Sequence, residues 1–201
     1  MTNRTKALLL IVLSLASLAA SCKTAEFGFK VIDINGMVYD FSNRPVPHYE
    51  ITLGKRYKGS TDINGRFTLP RVPIGTYKIA GKKSGFENYF DEVIVKEKGQ
   101  IIYIRIPSQN QLLNMVEDAL VVNNFILAEE MAERAYHVDE NNTEMLFYCA
   151  VVAFRQKKIG KAVSLLETAM DLGSKDLYIG KFLAALKETQ IKGDENEDQT
   201  N

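Results

Sequence analysis

Near Pro107 the spacing of apolar residues changes, and that change constrains the fold more than any other feature of the chain. Before it, apolar and polar residues alternate in short runs separated by Gly, Pro and Asn, the period of strands with one buried face. After it, apolar residues recur every three or four positions and Pro is absent, the period of amphipathic helices. The expected class is therefore α+β and multidomain: an N-terminal all-β sandwich of about seven strands, then an all-α helical array. Charge follows the same division. Thirteen Lys and Arg against eight Asp and Glu give residues 28–107 a net of +5, while nine against sixteen give residues 108–201 a net of −7. The basic residues are scattered along short strands and form no stripe interleaved with aromatics, so no nucleic-acid partner is expected.

The first twenty residues have the layout of an export signal. Arg4 and Lys6 precede an apolar run from Ala7 to about Leu18, too short to span a bilayer core of roughly 30 Å, and small residues follow. Leu18-Ala19-Ala20-Ser21-Cys22 resembles the lipobox of bacterial lipoproteins, with Ala19 where Leu is commonest. The resemblance implies a signal peptide at 1–21, lipidation of Cys22 and a tether at 22–28. Two or three acyl chains at about 0.8 kcal/mol per buried methylene make such an attachment effectively permanent. The one other cysteine, Cys149, is expected as a buried, inert thiol on the inner side of a helix.

Strands are expected near 29–33, 36–40, 48–54, 56–61, 66–69, 76–80 and 89–106, the last broken at Lys98-Gly99. Asp62-Ile63-Asn64-Gly65 and the identical Asp33-Ile34-Asn35-Gly36 open like calcium loops. The twelfth positions, Pro73 and Arg44, cannot supply the closing carboxylate, so both read as turns. Gly36 to Asp40, Arg44 to Pro47, Thr61 to Leu69, Val72 to Tyr77 and Ser84-Gly85-Phe86 together resemble the carboxypeptidase regulatory-like domain. That family implies a transthyretin-like sandwich over 29–107, an accessory module with no catalytic residues of its own.

In the helical half, Phe125 to Ala135 aligns with Ile159 to Ala169 at an offset of 34 residues, the tetratricopeptide period. Residues 109–142 and 143–176 resemble two such repeats, with a further helix at 177–189 and a disordered acidic tail at 190–201. The resemblance implies a partner-binding inner surface built from Leu113, Glu117, Leu120, Phe147, Val151, Phe154, Arg155 and Tyr178, flanked by Asn110, Val121, Glu144 and Lys181. A row of Leu and Phe facing water calls for a partner; the alternative is that it packs against the sandwich or the last helix.

His137 and Glu140 share the His-x-x-Glu spacing of zinc carboxypeptidases, but the one other histidine, His48, lies in the sandwich, and no metal or cofactor is expected. The resulting expectation is a non-catalytic lipoprotein of the bacterial cell envelope, on the outer membrane if the cell has one, with its folded part outside the cytoplasm. It would be held to the membrane by lipid and would dock an envelope protein on its repeats. The alternative is a cell-wall or glycan binder using Tyr57, Tyr77, Phe86, Tyr89 and Phe90 of the sandwich as stacking faces.

Overall fold

The computed structural model describes residues 30–198, with side chains to residue 189. The signal, Cys22 and the tether lie outside the described residues. Seven strands come first: β1 (Val31–Tyr39), β2 (Glu50–Leu53), β3 (Tyr57–Ser60), β4 (Arg66–Pro73), β5 (Gly75–Lys82), β6 (Tyr89–Val95) and β7 (Ile101–Arg105). Five helices follow: α1 (Gln109–Val121), α2 (Phe125–Val138), α3 (Thr143–Arg155), α4 (Ile159–Asp171) and α5 (Leu177–Asp198).

The strands form two sheets, β4-β1-β7 and β3-β2-β5-β6. β1 pairs antiparallel with β4 and parallel with β7; every pairing in the second sheet is antiparallel. Ile32, Ile34, Val38, Tyr49, Ile51, Leu53, Phe67, Leu69, Val72, Ile79, Val95 and Ile104 fill the core, nearly all at alternate positions of their strands, as a half-buried sheet requires.

The strand expected at 29–33 and that at 36–40 are one element. Alternation runs unbroken through Ile32, Ile34, Gly36 and Val38, so Asp33-Ile34-Asn35-Gly36 is strand and not turn. Gly36 is needed there because a Cβ would sit 2.2 Å from Cζ of Phe67. The same tetrapeptide at Asp62 does turn: Asp62 Oδ1 accepts from the backbone N–H groups of Asn64 (2.9 Å) and Arg66 (2.8 Å), and Gly65 takes a φ of 72°.

The helices repeat at the period read from the sequence. α1 and α3 start 34 residues apart, as do α2 and α4. The turns repeat too: Asn123 and Lys157 take left-handed φ values of 57° and 63°, and each turn closes with the same pair of backbone bonds. Small residues at Ala128, Ala132, Ala135, Ala150, Ala162 and Ala169 are buried where helices approach. α5 continues to Asp198, past the expected start of a disordered tail at 190. Residues 190–198 hold no Pro, Gln, Lys and Glu are good helix formers, and the single Gly193 costs only about 1 kcal/mol, so a helix already nucleated propagates.

The sandwich and helices meet through specific polar contacts. Ser108 caps α1 in a reciprocal box with Gln111, whose Nε2 also donates to Ser42 Oγ (2.9 Å). Arg134 of α2 grips Glu87 of the β5–β6 loop with two bonds, at 2.7 and 2.8 Å. Within the helical half, buried Gln109 of α1 donates to the Ala135 carbonyl of α2 and accepts from Asn142 Nδ2, both at 3.1 Å.

Candidate functional site

The odd-numbered helices present the surface expected to meet a partner, and the structure divides it in two. Leu113 is 7% exposed within the core formed with Leu112, Val116 and Met131; it belongs to the packing of α1 on α2 and cannot face a partner. Leu120 is half-buried against the same cluster, and Val151 is half-buried. Phe147 and Phe154 of α3 both meet Phe182 of α5 edge-on, with ring centroids 6.2 and 5.4 Å apart. Packing against the last helix, the alternative weighed from sequence, therefore covers this part of the row. Phe154 keeps 40% of its surface exposed, at the border of the covered region.

Below Phe182 the surface stays open. A recess of about 390 Å³ lies between the N-terminal turns of α3 and α5, lined by Glu144, Phe147, Tyr148, Asp176, Tyr178 and Ile179. Tyr178 is 73% exposed at its rim. Asp176 Oδ1 accepts from the Tyr178 backbone N–H at 2.7 Å, which fixes the first turn of α5. Across the recess the Tyr148 hydroxyl donates to Glu117 Oε1. That bond, then burial and the negative charges of Glu117 and Glu144, push the Tyr148 phenol up to about 12, so it stays a neutral donor. The recess thus offers two tyrosine rings, one Phe face and carboxylates. This chemistry suits a cationic side chain flanked by an apolar one.

Arg155 points elsewhere: it donates to Asn123 Oδ1 (2.6 Å) and lies over the Phe125 ring, 5.3 Å from its centroid. It ties α3 to the α1–α2 turn. Of the expected inner-surface residues, Glu144, Phe147 and Tyr178 line the recess, and Glu117 meets it only through its bond with Tyr148. Tyr148, Asp176 and Phe182 were not read from sequence. Phe182 lies one helical turn beyond Tyr178, a spacing that could have found it.

On the sandwich, the five expected aromatics do not form a stacking face. Tyr57 and Tyr77 pack edge-on (6.1 Å, 86°) against the core, and the Tyr77 hydroxyl donates to the Pro73 carbonyl at 2.9 Å. Phe86 and Tyr89 are also packed on the core. Phe90 stands apart, 76% exposed beside a shallow trough of about 130 Å³ lined by Glu50, Thr52, Ala80, Lys82 and Asn88. Cys149 is half-buried, and burial pushes its thiol up to about 11, outside the range of a thiolate nucleophile. His137 lies 3.6 Å from Glu140 at an exposed helix end, and no metal-binding cluster occurs among the described residues. No described helix is long and apolar enough to cross a membrane.

Residues 33–106, which span most of the sandwich, match the family model of the carboxypeptidase regulatory-like domain. No curated protein matches the chain significantly. Solved structures similar to it cover about two fifths of the chain at low identity. A chain of a type II cohesin–X-dockerin complex from Acetivibrio cellulolyticus is 17% identical over 40% of this chain and 60% of that one (TM-score 0.35). A proposed carbohydrate-binding protein from Pseudomonas aeruginosa is 16% identical over 40% of this chain and 92% of that one (0.32). Catechol 1,2-dioxygenase from Pseudomonas arvilla C-1 is 10% identical over 42% of this chain and 54% of that one (0.34).

Proposed function

We propose that this protein is a non-catalytic lipoprotein of the bacterial cell envelope. In this reading lipid on Cys22 holds it to a membrane, the sandwich is a rigid spacer, and the helical half is a short tetratricopeptide-like array that docks an envelope protein. The observation that carries the docking role is the open recess between α3 and α5, where Glu144, Tyr148 and Tyr178 meet at the base of an otherwise covered surface. Its partner is an extended segment with a Lys or Arg beside an apolar residue: the cation meets carboxylates and ring faces, and the neighbour meets Phe147 and Ile179.

A Glu144→Lys, Tyr178→Ala variant tests this reading. Both side chains are exposed, so the fold is expected to survive, with an unchanged circular dichroism spectrum. Purified from membranes after cross-linking, the wild type should carry a protein partner that the variant loses. Recovery of the same partner by both forms would remove the recess from the account. A second reading, glycan binding by the sandwich, is favoured by the exposed Phe90 ring beside its shallow trough. Loss of cell-wall retention in Phe90→Ala, with partner capture intact, would select it.

A further inference from the structure

The two ends of the sandwich differ in charge, and the chain topology says which end faces the membrane. β1 begins at Val31, where the chain arrives from the tether, and Val31 pairs with Pro73 at the corner between β4 and β5. Gly75 pairs with Val95, so the β6–β7 turn at 96–100 lies at the same end. β2 runs antiparallel to β5 with Leu53 opposite Ile79, and the Gly54 N–H donates to the Lys78 carbonyl at 2.7 Å, which brings the β2–β3 hairpin there too. Lys55, Arg56, Lys96 and Lys98 of these connections and Arg71 near the end of β4 are all exposed. None of the five is in an ion pair with a carboxylate among the described residues. The acidic groups at this end are Asp33, which accepts from the Arg71 backbone N–H at 2.9 Å, Glu97, and Glu92, which lies opposite Lys78 on β5. Two apolar side chains accompany them, Val31 at 47% and Ile74 at 42% exposure. The helices join the opposite end, through Ser108 and the β5–β6 loop.

We propose that this basic end is a membrane-contact surface that rests on the anionic headgroups of the lipid leaflet to which the chain is anchored. The proposal rests on the lipoprotein reading. The chain between Cys22 and Val31 can span at most about 30 Å, which keeps the basic end near the leaflet. Within a Debye length of about 8 Å, each Lys or Arg increases partitioning onto an anionic surface roughly fivefold. The five cations together orient the sandwich upright and direct the acidic helical half, which anionic lipid repels, away from the membrane. The recess on α3 and α5 is thereby held out toward a partner.

The test uses the chain from residue 22 onward with Cys22→Ser, so that no acyl chain contributes and the outcome is independent of whether Cys22 is lipidated in cells. Co-sedimentation is measured with phosphatidylglycerol-containing vesicles, with pure phosphatidylcholine vesicles and with a soluble anionic polysaccharide. Selective binding to the anionic vesicles is expected, weakening as salt rises. Lys55→Glu, Arg56→Glu and Lys96→Glu, Lys98→Glu variants should each lower it at least about 25-fold. The same charge change on the helices, Lys175→Glu, Lys181→Glu, should leave it within about twofold, because those charges lie beyond the Debye length from the surface. Equal binding to both vesicle types, equal loss in the helical variant, or equally tight binding to the polysaccharide would each overturn the proposal. Palmitate labelling of Cys22 in cells separately reports the anchor.

Discussion

The Arg134–Glu87 pair should act as the main polar lock between sandwich and helices, and a double-mutant cycle can measure it. The guanidinium makes two parallel bonds to the carboxylate, at 2.7 and 2.8 Å, with the side chains 32% and 27% exposed. A fully exposed pair would contribute at most about 1 kcal/mol, whereas a bidentate pair shielded from most solvent should couple by about 1–1.5 kcal/mol. Arg134→Met keeps the apolar stem and leaves Glu87 without its partner, at an expected cost of about 2 kcal/mol. Glu87→Gln should cost about 1 kcal/mol, and the double variant less than the sum by the coupling energy. Urea unfolding followed by the helical far-UV signal supplies all four free energies. A coupling energy indistinguishable from zero would mean that packing of Phe86 and Ser108 holds the junction and that the ion pair is incidental.

Other consequences follow from single sites. Gly81→Ala would place a Cβ 2.2 Å from Cε1 of Tyr49, a fully buried ring whose hydroxyl donates to the Glu87 carbonyl at 3.1 Å; unfolding in urea should show a loss of about 2–3 kcal/mol. Glu129 accepts from Lys158 (2.7 Å) and Gln156 (2.8 Å), which holds its carboxyl down at about 2. Because its folded value lies below its unfolded one, its contribution is present above about pH 4.5 and is lost as pH falls toward 2. Allowing for screening, Glu129→Gln should remove about 1 kcal/mol at neutral pH and little near pH 2, read from unfolding midpoints across that range. Cys149 should react with iodoacetamide at neutral pH far more slowly than a free thiol and reach the free rate on unfolding; rapid labelling of the folded chain would show the helices open there.

Periodicity made most of the fold legible. Alternation marked the strands because each sheet buries one face, and the 34-residue offset placed the helix starts because the small residues where helices touch recur with it. Identical tetrapeptides at Asp33 and Asp62 folded differently because local turn chemistry lost to the unbroken alternation of β1 and to the room Phe67 needs beside Gly36. The tail was read from composition alone, which does not register that a helix already begun at Leu177 extends cheaply. Site residues were harder. Leu113 and Tyr178 both fall on the expected face, yet one is core and the other open, because which positions a neighbouring helix covers is a tertiary fact. The Arg134–Glu87 contact joins positions 47 residues apart in different modules, and nothing in either neighbourhood signals the other. Likewise the basic end of the sandwich is dispersed through the sequence and gathers only when three connections fold to one side.

The docking account is tested most directly by placing a photoreactive phenylalanine analogue at position 178 and, separately, at position 90, and irradiating intact cells. Both side chains are exposed, so neither replacement should disturb the fold. The account predicts one discrete protein adduct from position 178 that disappears when Glu144→Lys is added, and none from position 90. Adducts to cell-wall material from position 90, with position 178 silent, would contradict it and transfer the binding role to the sandwich.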